Sequence, residues 1–213
     1  MGGKAIFVTV GFNPSKALEA IAKASSEDSD VYLIIRRESI EPALRAVRTV
    51  VDFAERLGVS TKVLEIDPSD ILEVFRLSSI MSHYDRVNVW VGGGLRVIQA
   101  YTLLATLNVI DVVEDIQVFD HDTGDLVSIP KWLVNLVTSP ERWGRYKVLA
   151  ALDDKPKTKE EIIDASGLSE QTVSKYLSFL TKARLAKRVI PNKYRITELG
   201  ERIKNYTQSI LRK

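Results

Sequence analysis

Before residue 110 the chain repeats one pattern four times, a short β-branched or aromatic run followed by a helical one. Ala5 to Val10 ends at Gly11, and Pro14 stands where a helix with Leu18, Ile21 and Ala22 on one face begins. Asp30 to Ile35 precedes the helical Glu41 to Leu57, which Gly58 closes, and Thr61 to Ile66 precedes Pro68 to Ser82. Arg86 to Val91 then precedes Leu95 to Leu107. Strands separated by helices of this length need crossover connections, which run right-handed and give a mostly parallel sheet with helices on both faces. Past Asp111, Val113 to Phe119 and Asp125 to Ile129 flank the turn-rich D-H-D-T-G, which predicts a closing hairpin. The N-terminal apolar run lacks the core length and cleavage site of a signal peptide and reads as the first strand. No apolar run approaches the roughly 18 residues that span a bilayer, so no membrane partner is expected.

With 213 residues the chain has room for two modest domains, and its charge divides accordingly. Residues 1–130 carry 12 Lys and Arg against 19 Asp and Glu, a net −7, whereas 131–213 carry 18 against 9, a net +9. A basic module behind an acidic one points to a polyanionic partner for the second half. There is no cysteine, which excludes disulfides and thiolate chemistry and fits a cytoplasmic setting. The expected division is 1–130, a connector over 131–140 bracketed by Pro130 and Pro140 and acting as a hinge, and 141–213. Trp132 and Trp143 flank the join and read as inter-domain or dimer packing.

In the basic module Thr158 and Glu161 have capping-box spacing, Gly167 makes a tight turn, and Ser169 caps a second helix with Val173, Leu177 and Leu180 on one face. That leaves Gln171, Thr172, Ser174, Lys175 and Ser178 facing outward with Ser169, the placement of a recognition helix in the major groove. Residues 182–197 alternate around Pro191-Asn192 as a basic hairpin wing. Its Lys187, Arg188, Lys193 and Arg195 belong near DNA phosphates. This segment resembles the winged helix-turn-helix domains of bacterial and archaeal transcriptional regulators.

In the acidic half the loops after the first and fourth strands stand out, T-V-G-F-N-P and V-G-G-G-L-R. Each enters a helix, and ligands of parallel sheets bind beyond the carboxyl ends of the strands. Missing Cβ atoms admit a phosphate or ribose to the backbone, and Arg96 offers a fork of donors. A dinucleotide fingerprint would follow strand one with an acid ending strand two. Here the glycines follow strand four, strand two ends in Arg36-Arg37, and the P-loop lysine is missing. The expected ligand is an anion other than NAD or a P-loop nucleotide.

With both loops and the winged helix in one chain, the sequence resembles the CRISPR-associated Rossmann-fold (CARF) transcriptional regulators of archaea. The resemblance implies an α/β fold, a Rossmann-like sheet followed by a C-terminal winged helix-turn-helix. It also implies a homodimer that binds a cyclic oligoadenylate, cyclic tetra-adenylate foremost, at a two-fold axis, and DNA near CRISPR loci. Carried over, the ligand residues are Thr9, Gly11, Phe12 and Asn13 after strand one and Gly92, Gly93, Gly94, Leu95 and Arg96 after strand four. Where family members often have an acidic residue and a threonine, this chain has Trp90 and Gly92.

Blander readings stand beside these. The glycines also suit a tight turn with close packing, and Arg36-Arg37, which could border the same ligand, reads first as a solvated pair. The Asp120-His121-Asp122 triplet with Asp125 reads as a polar hairpin turn rather than a metal site, and His83 as a cation at a helix C-terminus. Two functions fit these features, a ligand-gated DNA-binding regulator and a ring nuclease or other nucleotide-converting enzyme bearing a winged helix. No general base is visible for the second, so no catalytic residue is assigned.

Overall fold

A computed structural model of the chain describes residues 3–120 and 123–211, and of residues 25–27 and 208–211 the backbone alone. The chain forms two compact units, Met1–Lys131 and Trp132–Lys213.

The first unit runs β1 (Lys4–Thr9), α1 (Ser15–Glu27), β2 (Ser29–Arg36), α2 (Glu41–Arg56), β3 (Thr61–Ile66), α3 (Glu73–Met81), β4 (Arg86–Val91), α4 (Arg96–Asn108), β5 (Val113–Phe119) and β6 (Leu126–Ile129). Its sheet has the order β3-β2-β1-β4-β5-β6, parallel except for the antiparallel β5–β6 hairpin. This is the strand order of a Rossmann-like fold, in which the chain winds outward from β1 in both directions. The central strands are buried almost throughout, which is why they read as continuous apolar runs rather than alternations.

On one face Ile6, Val8, Val10, Val31, Leu33 and Ile35 form a core with Ala20 and Ile21 of α1 and Val47 and Val50 of α2. The amphipathic stripe Ala43, Ala46, Val47, Val50 and Ala54 gives α2 its inward side. Residues of opposite parity, Phe7 and Tyr32, stack with ring centroids 4.6 Å apart. Below them runs a donor chain: Lys62 Nζ to the Tyr32 hydroxyl at 3.2 Å, Tyr32 to Tyr84 at 2.7 Å, and Tyr84 to Asp30 Oδ2 at 2.7 Å. Burial opposes ionisation of Asp30, but the Tyr84 hydrogen bond and Lys62 outweigh it and hold its carboxyl below the ordinary value.

One helix is shorter than its sequence pattern predicts. α3 begins at Glu73 rather than Pro68, because Asp67 Oδ1 accepts the Ser69 N–H and Asp70 Oδ1 the Leu72 N–H, both at 2.9 Å, and these local turns replace the first helical bonds. His83 Nδ1 donates to the Ser79 carbonyl at 2.6 Å, at the C-terminal end of α3. Arg37 pairs with Asp67 at 3.2 Å and Glu73 at 3.5 Å.

The second unit contains α5 (Lys131–Thr138), α6 (Arg142–Ala151), β7 (Lys157–Thr158), α7 (Lys159–Ser166), α8 (Glu170–Lys182), β8 (Ala186–Ile190), β9 (Lys193–Ile196) and α9 (Glu198–Leu211). Its core joins Leu136, Tyr146, Leu149, Ile162, Val173, Leu177, Leu180, Leu185 and Ile196, with Trp132 packed against it. The segment bracketed by the two prolines is thus a helix seated in this core. Buried Lys204 fastens α9 by donating to the Leu152 carbonyl at 2.7 Å and Asp153 at 3.2 Å. The wing is three-stranded, β7-β9-β8. Its hairpin opens at Ala186 rather than Lys182, since Ala183 and Arg184, the latter at φ 59°, first turn the chain out of α8.

Candidate functional site

The order β2-β1-β4 puts the loops after β1 and β4 side by side, at the point where the direction of winding reverses. They touch main chain to main chain. A Cβ on Gly93 would lie 2.5 Å from the Gly11 nitrogen and 2.6 Å from the Thr9 carbonyl oxygen, and one on Gly11 would lie 2.4 Å from the Gly94 nitrogen. Gly92 is closed off by Phe119, 2.2 Å from its would-be Cβ, and Gly94 holds φ +79°. The close packing expected of these glycines is therefore present. Buried Thr9 ties the loops together, its Oγ1 accepting from the N–H groups of Gly92 at 3.0 Å and Gly93 at 3.2 Å.

A cavity lies on each side of this ridge. One, of about 210 Å³, is lined by Val10, Gly11, Phe12, Arg36, Ser39, Ile40, Gly94, Leu95 and Ile98. The other, of about 230 Å³, is lined by Thr9, Gly11, Phe12, Asn13, Lys16, Gly92, Gly93 and Phe119. Phe12 borders both and is 68% exposed. Asn13 Oδ1 accepts the Ser15 N–H at 2.9 Å, which shapes the entry to α1. Leu95 precedes α4 without a side-chain cap.

The structure thus brings together eight of the nine carried-over positions, Thr9, Gly11, Phe12, Asn13, Gly92, Gly93, Gly94 and Leu95. Arg96 is exposed on the first turn of α4 and lines neither cavity. The cations at the cavities are Arg36 and Lys16. Lys16 also pairs with Glu19 at 2.7 Å and lies 5.2 Å from the Phe119 ring centroid. The sequence reading left Lys16 out. A lysine in the first turn of a helix opposes the helix dipole, and that was the available signal.

In the second unit the capping box forms: the Glu161 N–H reaches Thr158 Oγ1 at 3.2 Å, and the Thr158 N–H reaches Glu161 Oε2 at 2.6 Å. Gly167 turns the chain at φ +66°. On α8 the hydroxyls divide. Ser169 caps Thr172 and meets its Oγ1 at 2.9 Å, and Ser174 Oγ donates to the Glu170 carbonyl at 2.7 Å, so these three are engaged locally. Gln171, Lys175 and Ser178 are exposed on the helix, with Lys175 ion-paired to Glu141.

In the wing, Lys187 and Arg188 are exposed and Lys193 is half-buried. Lys187 stands directly across from Arg195. The turn is held down by Asn192, whose amide donates to both Glu160 oxygens at 3.0 and 3.1 Å. The two-residue β7 that completes this sheet is too short to show in any periodicity.

No group of three or more His, Cys, Asp and Glu among the described residues could hold a metal ion. His121 and Asp122, part of the hairpin triplet, lie outside the described residues. No described helix is long and apolar enough to cross a membrane.

A Rossmann-like domain with its site at the strand switch, followed by a winged helix-turn-helix, defines a class of regulator. The model of the Csa3 CRISPR-associated Rossmann-like domain matches residues 4–130, and that of a winged helix-turn-helix matches 145–213. The chain belongs to the Csa3 family, and its two domains are those of a CRISPR-associated regulator. No curated protein matches it.

Proposed function

We propose that the protein is a cytoplasmic, homodimeric, ligand-gated DNA-binding regulator. Its first unit takes a cyclic oligoadenylate, with cyclic tetra-adenylate the leading candidate, and its winged helix binds DNA. The observation that carries this reading is the ridge of touching glycines with a cavity on either side. It exposes main chain and an aromatic ring, Phe12, next to Arg36 and Lys16. A nucleotide needs a π-face for its base and donors for its phosphates, and both are there.

No aspartate, glutamate or histidine lines either cavity, so among the lining residues there is no ordinary general base, which favours binding over ring cleavage. Support for the dimer comes from α4, which has no charged side chain after Arg96 and leaves Leu104 50% exposed. Beside it α3 exposes Phe75 to 62%. Apolar side chains presented this way next to the glycine loop suit a second copy of the chain.

The decisive experiment incubates the protein with cyclic tetra-adenylate and follows ligand integrity by chromatography and DNA affinity by fluorescence anisotropy. Intact ligand with altered DNA affinity is the expected result. Cleaved ligand favours the ring nuclease, and DNA binding indifferent to every cyclic oligoadenylate removes the sensing role.

A further inference from the structure

We propose that Glu141 is an internal competitor for Lys175, a carboxylate that a DNA phosphate must displace before α8 engages, and that it sets how tightly this helix binds DNA. The inference rests on the DNA-binding reading above.

Lys175 is an exposed cation near the middle of α8, its side chain 63% exposed, and its ammonium is bound to Glu141 Oε1. Glu141 is not a freely moving surface group. Arg145 Nη2 holds its other oxygen at 3.2 Å, and Arg145 is itself pinned, with Nη1 donating to the Asn135 carbonyl at 2.6 Å and its guanidinium 4.0 Å from the Phe179 ring centroid. The side chain of Arg145 is only 11% exposed. The carboxylate is therefore presented to Lys175 in a fixed position, and less side-chain entropy is lost in making the pair. The hydrogen bond from Lys175 lowers the pKa of the Glu141 carboxyl, so it carries its charge at neutral pH.

Glu141 immediately precedes α6, yet its side chain makes no capping hydrogen bond there. A helix that must approach a polyanion thus carries beside it a carboxylate that the helix cap does not use. An exposed ion pair is weak enough for a phosphate to displace, and strong enough to lower affinity measurably. Asn135 belongs to α5, so the chain of contacts Asn135–Arg145–Glu141–Lys175 also links the first helix of this unit to the DNA-facing one.

The test is a double-mutant cycle on the full-length protein with a fluorescein-labelled mixed-sequence DNA duplex, read by anisotropy over a salt series. Glu141→Gln should tighten binding by about two- to fivefold and slightly steepen the salt slope, and in a Lys175→Gln background the same change should have almost no effect. Equal tightening in both backgrounds would mean that Glu141 acts only as a distant negative charge, which overturns the proposal, as does no tightening at all. Failure of the wild-type protein to bind the duplex at low salt overturns the DNA-binding reading and this proposal with it. A thermal melt of each variant separates these outcomes from unfolding. A loss of Tm in Glu141→Gln large enough to unfold the unit at the assay temperature would make Glu141 structural and overturn the proposal too.

Discussion

Around Gly93 in the first unit there is no space for a methyl group, whereas around Gly167 in the second a methyl would meet nothing within 4 Å. Gly167 is required by its own backbone, at φ +66°, and Gly93 by its neighbours. The two functional surfaces are built in correspondingly different ways. The site at the strand switch is made by taking side chains away until two main-chain loops meet, so its ridge is backbone, flanked by the side chains of Phe12, Arg36 and Lys16. The surface proposed to meet DNA is a capped helix and a hairpin that project side chains. Substitutions in the glycine ridge should therefore act through the fold, and those on the winged helix through charge.

The largest expected effect tests this contrast directly. Gly93→Ala forces a Cβ against three backbone atoms that cannot rotate away, and should cost about 2–3 kcal/mol in the unfolding transition of the first unit. Gly167→Ala should cost about 1 kcal/mol, from the left-handed dihedral alone. Urea titrations with a probe in each unit check both values. On the proposed dimer, Leu104→Glu, which places a charge on the stretch of α4 beyond Arg96, should shift the equilibrium toward monomer in analytical ultracentrifugation without lowering the Tm of the first unit. Among the cations, Arg36→Ala should weaken cyclic tetra-adenylate binding by roughly tenfold or more in calorimetry, the loss of one charge-assisted hydrogen bond, and Arg96→Ala by less. A larger effect at Arg96 would place the ligand over the N-terminus of α4, outside both cavities.

How much of this could be read in advance followed the same division. The helix-turn-helix was legible in its caps and turn, because these are local: Thr158, Glu161, Gly167 and Ser169 act within a few residues of one another. The sheet order was legible only as a class, since periodicity identifies strands but not their neighbours. At the strand switch the sequence singled out the two loops that the sheet order brings into contact, but it could not show that Gly92 is needed by Phe119, or decide that Arg36 rather than Arg96 borders a cavity. Both depend on contacts across β4–β5 and β1–β2, far apart in the chain. Glu141 escaped notice for the same reason, as its partner lies 34 residues away.

A smaller effect in the first unit depends on pH. Asp30 is held below its ordinary pKa, so its contribution is complete above the unfolded value near 4 and is lost as pH falls through the lower folded value. Asp30→Asn should therefore destabilise the first unit at neutral pH by about 1 kcal/mol, through loss of the charged acceptor for Tyr84, and the gap to wild type should close on acidification below about pH 4. Denaturant midpoints at successive pH values measure it. A gap that stays constant down to the acid limit would mean that the carboxylate charge contributes nothing to the Lys62–Tyr32–Tyr84 chain.

The smallest effect concerns the wing, where stability and function should move in opposite directions. Lys187 and Arg195 are direct cross-strand partners on β8 and β9, and like charges so placed repel. A hairpin optimised for folding alone would put opposite charges there. Lys187→Ala should therefore raise the Tm of the second unit slightly, by an amount corresponding to a few tenths of a kcal/mol, while lowering DNA affinity uniformly across sequences. The slope of log affinity against log salt should fall in magnitude by about one, the signature of a lost phosphate contact. Lys187→Glu adds a cross-strand attraction and should stabilise the hairpin further while weakening DNA binding more. If both variants destabilised the wing, the repulsion would be compensated locally, and the cross-strand pair would no longer argue for a polyanionic partner.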